Sequence, residues 1–383
     1  MLMTRDEIKA EIAAGGITAI ALDTTIFEKS HNRFEHAPLS QLKQFLGSGI
    51  HFLISDVVAG EVKSHVIQDA KAAKASVRAA MREMGQKWQT TREVRDAAMA
   101  TLLGGETPEA MFHRRFDAFT TATGMTVVRS APLVSVDRLL ADYFAATPPF
   151  ATNAVKKSEF PDAIALHALE KWANDKATKI LVVTKDGDWK SFCEPCSVLV
   201  VEDELTDALS LFHQDATVVC ALISTAIAEK KVNLDGEIEK ALQVAAEYLH
   251  FVPEAHAAYY YEAELDQVEV EAFELLPIGG QGNVLIKPVD HDTDYLVAEA
   301  LVRVTLAVST SFSFSISDSI DRDEVPIGST SATESIDLIA KVFVTFEGDL
   351  AQGPEVVTVE AEFERRTHDV YYGEVGLDWD YEE

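Results

Sequence analysis

Two different periods divide the chain. Up to about residue 213, short aliphatic runs without polar alternation are separated by longer stretches in which apolar residues recur at helical spacing. ITAIALDTT reads as a buried strand ending at Asp23, after a short helix near residues 4–13. PLSQLKQFL reads as helical and IHFLIS as a second strand ending near Ser55. Ser55 or Asp56 can cap the long helix that follows, which carries Glu61 and is expected to run to about Met84, stopped by Gly85. REVRDAAMATLL and PEAMFHRRFDAFTTAT continue as helices, MTVV at 125–128 is a third strand, and Pro148-Pro149 marks a loop. In the next helix Ala163, Ile164, Leu166, Ala168 and Leu169 form the apolar face, with Pro161 ahead of it where a missing N–H costs nothing. ILVVT at 180–184 is a fourth strand and SVLVV at 197–201 a fifth, before the helix DELTDALSLFH. Strands alternating with helices predict a mainly parallel sheet covered on both faces.

Beyond about residue 216 the pattern changes. VVCALISTAIAEKK and LDGEIEKALQVAAEYLH read as two helices. Long runs of alternating polarity follow: AAYYYEAELDQVEVEAFELL, YLVAEALVRVTLAVSTSFSFSIS, SIDLIAKVFVTFEG and VVTVEAEFE. Such runs predict an antiparallel sheet with one solvated face, and DRDEVPIGSTSATES reads as a hairpin tip. The resulting organisation is an α/β domain over 1–213, a helical connector over 214–255, and an acidic α+β domain with long antiparallel strands over 256–383.

Charge sharpens this division. The net charge of −30 is distributed unevenly: residues 1–202 carry 24 Lys and Arg against 25 Asp and Glu, whereas 203–383 carry 9 against 38. No run of 18 apolar residues exists, and the start MLMTRDEIKAEIAAGG is polar, which speaks against a signal peptide or a membrane span. Three cysteines, Cys193, Cys196 and Cys220, are too few for a disulfide framework, so a cytoplasmic setting is expected.

The candidate chemistry lies at the strand ends. In an open parallel sheet, ligands gather outside the carboxyl ends of the strands. Asp23 directly follows the first strand, and Asp186 and Asp188 follow the fourth. Glu61 and Asp162 lie early in helices that cross the sheet, so they can face the same edge. Carboxylates gathered there repel one another unless a cation is present, and hard oxygen ligands suit Mg²⁺ or Mn²⁺. Bland readings compete with each position. Asp186 and Asp188 flank Gly187 as turn residues would, Asp162 can simply oppose a helix dipole, and Glu61 can be a solvated helix acid.

IALDTTIF, SDVVAGEVKSH, EFPDAIALHAL and LVVTKDGDW together resemble the successive acidic motifs of PIN-like nucleases, in particular the bacterial branch with an inserted long helix after the second motif. The resemblance covers roughly residues 15–205. It implies a three-layer α/β/α sandwich and a metal-dependent endonuclease, most often acting on RNA. It implies metal coordination by Asp23, Glu61, Asp162 and Asp186, with Asp188 as an auxiliary acid. Thr184 would orient Asp186, and Glu159 would support the site or cap its helix. Thr25 stands where Asn or Ser is commoner in the family, which puts the hydrogen bonding around the acids in question.

Other features fit this frame or stay outside it. Lys71, Lys74, Arg78 and Arg82 recur at spacings of three and four, hence on one helix face, and are candidates for gripping backbone phosphates; the alternative is a solvated stripe. His65, four residues after Glu61, is a candidate substrate contact or a surface histidine. Cys193-Glu-Pro-Cys196 with His213 and Cys220 allows a zinc reading, but no second close pair completes it. The leading expectation is an endoribonuclease cutting single-stranded RNA. A deoxyribonuclease acting on single strands or flaps, and a binding module without turnover, are the alternatives. The acidic half is expected to bind a protein partner, to self-associate or to regulate the nuclease.

Overall fold

Five short aliphatic segments build the central sheet of the first unit: β1 (Ile17–Leu22), β2 (His51–Ser55), β3 (Thr126–Val128), β4 (Lys179–Val183) and β5 (Leu199–Glu202). All pair in parallel, in the order β3-β2-β1-β4-β5. The computed structural model describes residues 3–150, 159–213, 215–278, 284–317, 324–351 and 353–377. Its contacts separate two units, Met1–Gln214 and Asp215–Glu383.

In the first unit, Ile20, Ala21 and Leu22 of β1 and Ile180 to Val183 of β4 have no exposed surface. Both sheet faces are therefore covered at the centre, which is why these segments read as continuous apolar runs. The connections carry α1 (Arg5–Ala13), α2 (Thr24–Lys29), α3 (Asp56–Lys87), α4 (Arg92–Leu103), α5 (Pro108–Thr123), α6 (Val136–Ala145), α7 (Phe160–Lys176), α8 (Gly187–Cys193) and α9 (Leu205–Ser210). From β1 the chain moves to β2 on one side, and it later returns to β4 on the other. That reversal makes the β1–β4 gap the switch point of the sheet and opens a crevice at the carboxyl ends of its two central strands.

Three local expectations differ from the structure. Gly85 does not end α3, which continues to Lys87 and is capped by Trp88. Gly85 is buried in the helix, and the turn out of it comes at Gln89, whose φ is 54°. PLSQLKQFL forms a 3₁₀ stretch over Leu39–Phe45 instead of an α-helix. The Asp-Gly-Asp sequence after β4 leads into a helix, because Asp186 accepts the Asp188 and Trp189 N–H groups and caps α8.

The second unit begins with α10 (Ala216–Ala228) and α11 (Asp235–Ala246). These helices, expected as a connector, bury Cys220, Ile223, Ile238 and Leu242 in one core with Val302, Val304, Leu306 and Val308. Their apolar faces are thus part of this unit. Its strands are β6 (His250–His256), β7 (Tyr260–Leu276), β8 (Ile286–Asp292), β9 (Tyr295–Ser317), β10 (Glu324–Glu347), β11 (Glu355–Phe363) and β12 (Thr367–Glu374). The main sheet is antiparallel, ordered β11-β10-β9-β7, with β8 pairing the first part of β9. Most of the expected hairpin tip is strand: residues 324–335 belong to β10 and pair with β9, while 321–323 lie outside the described residues. Alternation explains the solvated face. Val302, Val304, Leu306 and Val308 point to the core, and Arg303, Thr305, Ser309 and Ser311 to the opposite side. At the β7 edge, the Gln243 side chain of α11 donates to Val268 O at 2.8 Å and accepts from Val270 N at 3.0 Å, occupying backbone groups that an open edge would leave unpaired. β6 and β12 form a separate parallel pair that the alternation pattern did not predict.

Candidate active site

Each candidate acid is placed by a different element at the β1–β4 crevice. Asp23 follows β1 directly, and its N–H bonds Val183 O at 3.1 Å, extending the β1–β4 ladder by one step. It is 3% exposed and doubles as the cap of α2. Asp23 Oδ1 accepts from Thr24 N at 2.6 Å; Oδ2 accepts from Thr25 Oγ1 at 2.6 Å and Thr184 Oγ1 at 2.8 Å. Burial pushes the Asp23 carboxyl above its ordinary range; the three donors oppose that shift, and the charge of Asp186 adds to it. The hydrogen bonding questioned at Thr25 is therefore in place.

The other acids are each held through one oxygen. Thr24 Oγ1 donates to Glu61 Oε2 at 2.6 Å, tying the start of α2 to the second turn of α3. Trp189 Nε1 donates to Asp162 Oδ1 at 2.7 Å, linking α8 to the first turn of α7. Asp186 Oδ1 takes the N–H groups of Asp188 and Trp189 at 2.6 and 3.1 Å. Among the described residues, Glu61 Oε1, Asp162 Oδ2 and Asp186 Oδ2 receive no protein donor. Thr184, fully buried, donates to Asp23 and accepts from Asp186 N at 2.9 Å, so its hydroxyl joins the ends of β1 and β4. It orients Asp186 through the backbone, not through the carboxylate.

Electrostatics shows which acids share a space. Burial pushes the Asp162 carboxyl up to about 6, the Trp189 bond opposes this, and the charges of Asp186, Asp23 and Glu61 raise it further. The Asp188 carboxyl is also raised, by burial and then by the charges of Asp186 and Glu159. Asp188 itself is exposed, at the rim, while Glu159 is 7% exposed at the start of α7 and makes no capping bond. Among the described residues, no three His, Cys, Asp or Glu side chains close to metal-ligand distances. Like-charged carboxylates drawn toward one crevice stand apart unless a cation bridges them. The donor set itself fits a hard divalent ion: all oxygen, Asp23 braced through both oxygens and the other three through one, with the second left without a protein donor.

The remaining candidates separate. His65 Nδ1 lies 2.6 Å from Glu28 Oε1, so that histidine is engaged with α2. Lys71 pairs with Glu109 of α5 at 2.6 Å. Lys74, Arg78 and Arg82 stay together on a different part of α3, where Arg92 and Arg95 of α4 join them. His213 contacts Gln44, and burial pushes the Cys193 thiol up to about 12, the state of a core thiol and not of a thiolate ligand. Sequence reasoning missed Thr24 and Trp189. Both sit inside the motifs, but only a tertiary bond gives either a role.

Residues 20–189 match the family model of the PIN domain. No curated protein and no solved structure matches the chain. No described helix is long and apolar enough to cross a membrane.

Proposed function

From the premise that residues 20–189 are a PIN domain, with its nuclease-type fold, we propose that the chain is an Mg²⁺- or Mn²⁺-dependent endoribonuclease acting on single-stranded RNA. The observation that carries this reading is the set of four carboxylates, Asp23, Glu61, Asp162 and Asp186, supplied by four elements to one crevice, with the Asp162 carboxyl raised by burial first and then further by the charges of the other three. A divalent ion held by these oxygens would make bound water acidic enough to attack a phosphodiester and would offset charge on the leaving oxygen. The protein's own part is positioning. Thr25 and Thr184 fix Asp23, Thr24 fixes Glu61, Trp189 fixes Asp162, and the N–H groups opening α8 fix Asp186. Asp188 adds negative charge at the rim, and buried Glu159 adds its charge beside it. The preference for RNA rests on the family resemblance, and the cytoplasmic setting on cysteine usage.

For the second unit, the reading is a binding or assembly domain for a protein partner. Glu262, Glu264, Asp266, Glu269, Glu271 and Glu274 all lie on β7, a ladder of like charge that favours a basic partner over nucleic acid.

The test incubates the full chain with end-labelled single-stranded RNA and DNA of one sequence, in Mn²⁺, in Mg²⁺ and in EDTA. Internal cuts in RNA that EDTA abolishes are expected. Preferential cutting of DNA would replace the reading with a deoxyribonuclease, and binding without cuts in any metal would leave a non-catalytic module.

A further inference from the structure

The insertion between β2 and β3 contains a second concave feature, away from the carboxylates. A cavity of about 660 Å³ lies between α3 and α4, lined by Lys74, Arg78 and Arg82 on one side and Arg92 and Arg95 on the other. Cations elsewhere in this unit are commonly neutralised. Lys71 meets Glu109, Lys87 meets Glu83, Arg114 meets Glu106, and Arg115 meets Glu35. Among the described residues, Lys74, Arg78 and Arg82 meet no carboxylate, and Arg95 feels only the charge of exposed Glu93, with no ion pair closed between them. Of the two acids at this groove, Asp96 faces Arg92 at 3.4 Å, and Glu106 is taken by Arg114. The row Lys74, Arg78 and Arg82, unpaired and faced by Arg95, carries cations that repel one another and raise the free energy of the hairpin unless an anion joins them.

The groove is also built. Arg95 Nη1 donates to Thr90 O at 2.6 Å and lies against Gly85, where an added Cβ would come within 2.4 Å of that nitrogen. The missing side chain at Gly85 thus admits the guanidinium between the helices. Buried Met99 forms part of the wall. Lys74, Arg78 and Arg82 follow at spacings of four, so their charges line up along the α3 axis instead of surrounding a point. A linear row of cations matches a linear polyanion better than a single small anion.

Distance gives the row a function. α3 is one uninterrupted helix of 32 residues that carries both Glu61 and the row. At 1.5 Å per residue, Lys74 lies about 20 Å and Arg82 about 30 Å along it from Glu61. A stacked strand rising ~3.4 Å per nucleotide covers that separation in on the order of six to nine nucleotides. We propose that the α3–α4 groove anchors the sugar–phosphate backbone of single-stranded RNA several nucleotides from the cut, so that the rigid α3 sets a minimum substrate length. This rests on the nuclease reading for the cut, but not for the anchoring.

The test separates the two. The full chain carrying Asp162→Asn is titrated with fluorescent RNAs of about 5 and about 15 nucleotides, with and without Lys74→Gln, Arg78→Gln and Arg82→Gln together. The triple substitution is expected to weaken binding of the longer RNA about a hundredfold at low salt and to flatten its log affinity against log salt by about 2, near 0.7 for each phosphate no longer neutralised. Binding of the shorter RNA should not change. With Asp162 restored, KM for the longer RNA should rise while kcat stays. Melting curves confirm the fold, and Arg78→Lys should retain most of the binding. Equal weakening of both RNAs, or an unchanged salt slope, overturns the anchor. So does loss of binding to a polyglutamate peptide with RNA binding intact, which would assign the groove to an acidic protein. Anchoring of the longer RNA without any cutting by the Asp162 chain would sink the nuclease reading alone.

Discussion

Asp23 in the first unit and Glu271 in the second each accept a short hydrogen bond from a hydroxyl, at 2.6 Å from Thr25 and 2.7 Å from Ser335. Their surroundings differ. Asp23 is buried between strand ends and feels another carboxylate, whereas Glu271 stands on a solvent-facing edge strand. The contrast runs through both units. Residues 1–214 carry 24 basic and 28 acidic side chains, and 215–383 carry 9 and 35. The unit with little net charge nevertheless holds the concentrated electrostatic stress, in a few acids forced together by backbone placement. The unit with the large charge spreads most of it along exposed strands, where water screens it, and its buried acids Asp290 and Glu299 meet Tyr295 and Lys287. Total charge governs solubility and partner choice; density and burial govern chemistry.

The largest expected effect tests that contrast directly. Asp23→Asn or Asp162→Asn should lower cleavage about a thousandfold or more, because charge stabilisation worth several kcal/mol depends on the ligand set. Glu264→Gln with Glu271→Gln, also two carboxylates neutralised, should change it by less than about twofold. Single-turnover cleavage by the full chain measures both. A comparable loss from the β7 pair would end the distinction between the units.

A smaller effect is expected from hydroxyls. Thr184→Val keeps the shape but leaves Asp186 N–H without its acceptor and removes a donor to Asp23. It should cost about 1–3 kcal/mol in urea unfolding and about 10- to 100-fold in cleavage. Thr305→Val removes a bond of 2.6 Å to Asp337 on the solvated sheet. It should stay within about 0.5 kcal/mol.

The smallest is a pH effect. The Asp162 carboxyl is raised from an ordinary 3.8 to about 6. Between those values the folded chain keeps a proton that the unfolded chain has lost. Its stabilising contribution is therefore complete below about pH 4 and is lost as pH rises through about 6, by roughly 1–2 kcal/mol after allowance for solvent screening. Melting temperature in EDTA should show this decline, Asp162→Asn should remove it, and excess Mn²⁺ should reverse it by holding the carboxylate ionised. A decline unchanged in Asp162→Asn would place the stress on another group.

Periodicity alone determined most of the parallel sheet, because buried central strands admit only aliphatic runs and their ends coincide with Asp23 and Thr184. It also placed Asp23, Asp186 and Asp188 after strand ends and Glu61 and Asp162 early in helices, since these are local features, whereas the choice of four as a ligand set came from the family resemblance. Gly85 misled that reading: a glycine ordinarily reads as a stop, and only the packing of Arg95 against it shows why the helix continues. The basic stripe was legible as a face, but its division was not. Lys71 turns to Glu109 of α5 while Lys74, Arg78 and Arg82 meet Arg92 and Arg95 of α4, a partition set by which helix packs where. The braces on the acids, Thr24 on Glu61 across 37 residues and Trp189 on Asp162 across 27, likewise belong to the tertiary structure alone. Local sequence encodes where a carboxylate can stand. What it faces, and so how far its proton affinity moves, is decided by groups distant in the chain that folding brings within a few ångströms.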